Sequence, residues 1–325
     1  IIGKAWIAKK MNGHSKQRYR CQLFWVITLF FVSFLASADT SSVNFIVVKK
    51  QGIYNQIVEL AMQSIQRDGL AVRSRIFEID ELGESAPKLE GRLVTIGTQA
   101  AAYAYQHYPE KAMVNALLTR SGFAELAQHA FGSLQQVAQK DINPLYLDQP
   151  LARFLALGSM LVPAAKTVGI LVGPANSDRL EVIKRQAAES GFDVNIALLD
   201  PNSNPIKVIE PVVKASDFFV VLADRKQINQ LAAKWVLPLS YRYKKPVVAY
   251  SRKYVDAGAL ASLYLSPEDV ALSIIDALKT EDSYSATHGL RFSVAINSSV
   301  ARSLAIAVKD PQTYAAELRS REISR

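Results

Sequence analysis

Short apolar runs alternate with amphipathic stretches along most of the chain. VNFIVVKK (43–50), VRSRIFEI (72–79), RLVTIGT (92–98), AMVNALLT (112–119) and INPLYLD (142–148) have the length and β-branched content of strands. Helices are expected from about 54 to 67 and over the Ala-rich QAAAYAYQH, and Phe123, Leu126, Ala130, Phe131, Leu134 and Val137 share one helical face. The pattern then restarts. TVGILVGP (167–174) precedes a helix over 177–190 that ends at Gly191. DVNIALL, DFFVVLAD and PVVAYSR follow as strands, separated by helices near 204–214 and 226–235. A last short apolar run, 260–265, leads into another helix. Continuous Val, Ile, Leu and Phe runs mark strands buried on both faces, and their alternation with helices predicts parallel sheets covered by helices. Two such series, broken near Asp148, predict an α/β protein of two lobes with similar design.

In open parallel sheets ligands bind beyond the carboxyl ends of the strands. That rule selects Thr98-Gln99, Thr119-Arg120, Asp148-Gln149, Gly173-Pro174, Asp224-Arg225 and Ser251-Arg252. Thr98 can cap a helix or, with the amide groups behind it, hold a carboxylate. Arg120 and Arg252 can form rim ion pairs, with Asp148 or Asp256 as partners, or grip a carboxylate or phosphate bidentately. Asp224 reads equally as a helix cap or a ligand contact. Tyr146 reads as core or hinge packing, and Tyr250 as packing or a ligand contact. The expected ligand-binding set is Thr98, Gln99, Thr119, Arg120, Asp148, Asp224, Tyr250, Ser251 and Arg252.

Charge changes little in this picture. The net charge is +9, but Lys4, Lys9, Lys10, Lys16, Arg18 and Arg20 precede an apolar run, 21–35, and an Ala36-Ser37-Ala38 cleavage pattern. Residues 1–38 are therefore expected to be an export signal, with 1–10 outside the translated protein if Met11 is the start. Most of the positive charge belongs to that segment, and so does the single cysteine, Cys21. No nucleic-acid role is indicated, because the remaining basic clusters, Lys244-Lys245 and Arg252-Lys253, lack aromatics interleaved on a sheet face. Catalytic signatures are missing: the chain has no Gly-x-Ser-x-Gly elbow, phosphate loop or dinucleotide turn. His107, His129 and His288 have no metal-ligand spacing. A non-enzyme with no metal and no cofactor is expected.

Several segments resemble ABC transporter substrate-binding proteins related to tryptophan-binding components. They are VTIGTQAAAYAY, KTVGILVGPANSDRLEVIKRQAAESGFDVNIALL, KKPVVAYSRKYVDAGALASLYLSPEDVALSIIDAL with its Gly258-Ala259-Leu260-Ala261 segment, and FSVAINSSVARSLAI with Asn297 before a closing helix. The resemblance spans about 44–307. It implies two Rossmann-like lobes with parallel sheets joined by crossing strands, in the type I periplasmic-binding-protein manner. Crossings are expected near 146–148, 263–266 and 286–292, which places 39–145 with 266–286 in lobe 1 and 146–265 with 287–325 in lobe 2. It also implies a periplasmic, monomeric protein that closes on a small molecule and hands it to a membrane permease. The family often has Thr-Asp-Pro after the fourth strand and Pro-Gly-Gly-Asn before the first crossing. Here stand Thr119-Arg120-Ser121-Gly122 and QKDINPLYLD, so the contacts at those tips differ in chemistry. Two guanidiniums facing each other across the cleft point to an anionic, carboxylate-bearing ligand. A bilobal sensory or partner-binding protein without a permease is the alternative these departures leave open.

Overall fold

The computed structural model describes residues 41–70, 72–200, 202–224, 226–280, 289 and 291–323. The expected export signal, Arg225, His288 and most of the third crossing lie outside the described residues. Among those described, no helix is long and apolar enough to cross a membrane.

Two sheets organise the chain. The first contains β1 (Ser41–Val47), β2 (Val72–Glu78), β3 (Arg92–Ile96), β4 (Met113–Leu118) and β5 (Ile142–Tyr146), in the order β2-β1-β3-β4-β5. Parallel pairing joins β1 to β3, β3 to β4 and β4 to β5. Its connections carry α1 (Gly52–Arg67), α2 (Ile79–Leu82), α3 (Thr98–His107), α4 (Arg120–Phe131) and α5 (Leu134–Val137). The second sheet contains β6 (Thr167–Val172), β7 (Asp193–Leu198), β8 (Phe218–Val221), β9 (Val247–Ala249), β10 (Ala261–Tyr264) and β11 (Ser293–Ile296). Its order is β11-β10-β9-β8-β6-β7, parallel except for the antiparallel edge pair β10 and β11. Around it lie α6 (Leu151–Leu161), α7 (Leu180–Glu189), α8 (Pro205–Ala215), α9 (Lys226–Tyr243), α10 (Arg252–Asp256), α11 (Pro267–Lys279), α12 (Ser298–Ser303) and α13 (Pro311–Ile323). The five parallel strands of the second sheet repeat the order of the first. In each, the order reverses beside the first strand of the series, which opens a crevice at the carboxyl ends.

Burial explains the unbroken apolar runs. Phe45 and Ile46 are neighbours in β1 yet enter different cores, one on each face of the sheet. Phe218, Phe219, Val220 and Val221 of β8 are all buried. After β5 the chain passes into α6, which packs Leu151, Phe154, Leu155 and Leu157 into the core of the second sheet. After β10 it returns through Leu265, which touches cores of both lobes. Ser266 and Asp269 then form a capping box, with Pro267 at the first turn, and α11 starts. This helix buries Val270, Ala271, Ile274 and Ile275 in the core of the first lobe, packing mainly on α1 and also on β4 and β5.

Local elements depart from the sequence pattern in three places. The single helical face read from Phe123 to Val137 is divided between α4 and α5. Gly132 closes α4 in the left-handed region, and Ser133 opens α5 by accepting the Gln136 N–H. The helix expected over 177–190 begins instead as a 3-10 turn, Pro174–Arg179. The helix expected to end near 235 continues through Pro238, because Val236, Leu237 and Leu239 are buried. Their packing outweighs a proline cost of about 3 kcal/mol.

Candidate ligand-binding site

The carboxyl ends of both sheets line two adjoining cavities of about 490 and 650 Å³. Thr119, Asp148, Asn176, Arg179, Ala223 and Asp224 belong to both, so the two form one cleft with walls from each lobe. Ile53, Leu151, Phe154, Ile183, Leu222 and Leu265 supply apolar surface in the smaller cavity.

On the first lobe, β4 ends irregularly. Its register with β5 shifts between Asn115 and Leu118, and Leu117 has φ +57°. Such a bulge turns the chain beyond it, here into Thr119 and the start of α4. The Thr119 hydroxyl accepts the Gly122 N–H at 3.1 Å and caps the helix. The Arg120 backbone N–H donates to Asp148 Oδ2 at 2.5 Å, while its guanidinium lies 4.5 Å from the Tyr146 ring centre. Tyr146 is buried edge-to-face on Phe123, so it is a packing residue. Burial raises the Asp148 pKa above its ordinary value, opposed by the Arg120 N–H and by the charges of Arg120 and Arg179.

On the second lobe, Asp224 is held from several sides. Its Oδ2 accepts from Asn176 Nδ2 at 2.8 Å, and the same nitrogen donates to the Ala223 carbonyl at 3.0 Å. Asn229 accepts the Asp224 N–H at 3.0 Å and donates to the Asp224 carbonyl at 2.6 Å. Glycine is required at position 173, where a Cβ would stand 2.8 Å from Asp224 Cγ and 2.7 Å from Ile228 Cγ2. Tyr250 packs edge-to-face on Tyr254, whose hydroxyl donates to the Asn229 carbonyl at 2.9 Å. Burial raises the Tyr250 pKa, the Tyr254 hydroxyl lowers it, and Asp224 raises it further, so this phenol stays neutral. Ser251 precedes α10 without capping it. Arg252 leaves 66% of its side chain exposed and lies 3.9 Å from Asp256. A hydrogen bond donated by its guanidinium to the Tyr264 hydroxyl oxygen raises the Arg252 pKa.

Thr119, Arg120, Asp148, Asp224, Tyr250, Ser251 and Arg252 thus come together at the cleft. Thr98 and Gln99 do not line either cavity. Both are exposed at the start of α3, and the cap position belongs to Gly97, not Thr98. Gly97 takes φ +96°, and the Tyr54 ring stands 3.2 Å from where its Cβ would be. Asn176 and Arg179 were not among the expected contacts. The density of turn formers in PANSDR is the signal for a loop at the strand end. Among the described residues no group of three or more His, Cys, Asp or Glu is placed to hold a metal.

A family profile described as ABC transporter substrate binding protein matches residues 93–310. The chain belongs to that family. Comparison with curated proteins finds no match in sequence. Solved structures similar to this substrate-binding protein include the ligand-free, open form of a substrate-binding protein with adhesive properties from Clostridium difficile. The two share 14% identity at a TM-score of 0.63, over 83% of this chain and 96% of that one. A conserved domain protein from Vibrio cholerae shares 18% identity at a TM-score of 0.53, over 86% and 98%. An ABC domain from Streptococcus pneumoniae, solved in complex with L-Trp, shares 16% at 0.52, over 84% and 97%. These likenesses show a common fold, the two parallel-sheet lobes of type I periplasmic binding proteins.

Proposed function

We propose that this substrate-binding protein works in the periplasm, captures a small carboxylate-bearing molecule between its lobes, and delivers it to the permease of an ABC importer. Arg179 carries the ligand reading. It is half-buried in the wall shared by both cavities and makes no hydrogen bond or ion pair among the described residues. The nearby acids are already engaged, Asp148 by the Arg120 N–H and Asp224 by Asn176. A partly desolvated guanidinium that feels the Asp148 charge but bonds to no anion can still take one, and its planar fork suits a carboxylate. The apolar surface beneath fits an uncharged body on the same molecule. Contacts to both lobes would favour the closed state in proportion to the difference in affinity between the two states.

The test is mass spectrometry of the small molecule released from purified protein, followed by calorimetric titration. L-tryptophan, L-leucine and benzoate serve as carboxylate probes, against tryptamine, isopentylamine and benzyl alcohol. The carried molecule should bear a carboxylate, and removing that group should abolish binding. A carried molecule with no anionic group would overturn the reading. Unchanged uptake of the carried molecule in cells lacking the protein would remove the delivery step.

A further inference from the structure

Arg153 on α6 is a fully buried guanidinium, 2% exposed, and the proposed ligand contacts do not use it. Its Nε and Nη2 donate to the two carboxylate oxygens of Glu322 on α13, at 2.5 and 2.6 Å. Nη2 also donates to the Gly289 carbonyl at 2.9 Å, and the guanidinium lies 4.3 Å from the Phe292 ring centre. The fourth bond runs from Nη1 to Gln149 Oε1, at 2.6 Å. Gln149 lies between β5 and α6, is 9% exposed, and lines the smaller cavity of the cleft.

The chemistry of arginine decides which way this amide points. A guanidinium only donates, so Gln149 must offer it the oxygen. The Nε2 hydrogens are what remains for the cleft, and among the described residues no acceptor takes them. A glutamine on a connecting segment ordinarily samples many rotamers. Here it is pinned to a side chain whose other donors are committed to Glu322 and Gly289. Such pre-organisation lowers the ordering cost of binding.

We propose that Gln149 is a fixed N–H donor of the ligand cleft, aimed by Arg153 and Glu322, which selects molecules that place an oxygen acceptor against it. This rests on the carboxylate reading above and adds where one oxygen of the bound molecule goes. An ammonium or amide N–H at the same place would meet donors and be rejected.

Gln149→Glu separates the two halves of the idea. It keeps an oxygen toward Arg153 but presents a second oxygen, instead of hydrogens, to the cleft. Calorimetry with L-tryptophan, L-leucine and benzoate on wild type and Gln149→Glu is the measurement, with circular dichroism to verify folding. Whichever probes wild type binds should bind the variant at least about tenfold more weakly, the loss expected for a hydrogen bond to a charged group. Equal affinity would overturn the proposal and leave the carboxylate reading standing. If wild type binds none of the three, the carboxylate reading loses its support, and a ligand-free measurement decides the aiming of Gln149. In the empty protein, ¹⁵N relaxation should show a rigid Gln149 side-chain amide that becomes mobile in Glu322→Gln. An amide equally rigid in both proteins, or mobile in wild type, would overturn the proposal.

Discussion

Asp148 receives an N–H from Arg120 and the field of two guanidiniums, yet burial still raises its pKa above the ordinary 3.8. The folded protein therefore holds this proton more tightly than the unfolded chain does. Between the unfolded and folded pKa values, folding takes up a proton, so stability falls as pH rises through that window. At neutral pH the ionised carboxylate is a cost. Asp148→Asn should therefore raise the melting temperature of the empty protein at pH 7, and the gain should shrink toward about pH 4. Thermal melts at the two pH values check this, and a variant less stable at pH 7 would contradict it. The two cleft-lining arginines of the second lobe should differ as well. Arg179→Ala should weaken binding of a carboxylate probe by about 1.5–3 kcal/mol, the range for a bond to a charged group. Arg252 is two-thirds exposed beside Asp256, so its loss should cost about 0–1 kcal/mol. Titration calorimetry ranks them, and a larger loss at Arg252 would reverse the assignment. These positions show what the chain alone discloses. Residues directly after apolar runs were legible because a parallel strand delivers them to the carboxyl edge. Arg179 was not, since its segment reads as the first turn of a helix and the 3-10 turn that holds it is a tertiary outcome. Thr98 and Gln99 follow a strand too, but the turn at Gly97 leaves them in solvent.

The elements themselves were largely visible, because continuous apolar runs have few uses other than doubly covered strands. Their limits were less so. Periodicity passes through Gly132 without noticing it, since the same face is apolar on either side of the break. Pro238 reads as a stop signal until the burial of its neighbours is known. Close approach between elements is likewise invisible to pattern. In α6, Gly158 faces Phe218 of β8 so closely that a Cβ would stand 2.2 Å from Phe218 Cε2. Gly158→Ala should therefore destabilise the protein by about 1–3 kcal/mol through overpacking, despite alanine's better helix propensity. Adding Phe218→Leu to that variant should return part of the loss. Chemical denaturation of the single and double variants measures both effects, and a Gly158→Ala protein as stable as wild type would show that the helix simply shifts away.

For the molecule as a whole, two sheets with facing carboxyl ends predict closure. Small-angle scattering should show a smaller radius of gyration when the carried ligand is bound, with a raised melting temperature. An unchanged radius at saturation would place the site on one lobe. The path of the chain through the two lobes has a separate consequence for how the protein is made. The face of the first sheet that holds Val43, Phe45, Val94, Val114 and Ala116 is covered jointly by two helices. Ile57, Val58, Ala61 and Ile65 come from α1, and Val270, Ile274 and Ile275 from α11, which packs beside α1 toward β4 and β5. That helix follows β10 in the sequence, so it leaves the ribosome only after every parallel strand of the second sheet. At about 5–20 residues per second, the interval between finishing β5 and finishing α11 is on the order of ten seconds. Throughout it the nascent first lobe carries an open apolar strip beside α1, on the β4 and β5 side of that face. The two lobes therefore cannot mature one after the other like beads on a string, and until α11 is synthesised that strip is the natural hold for a chaperone.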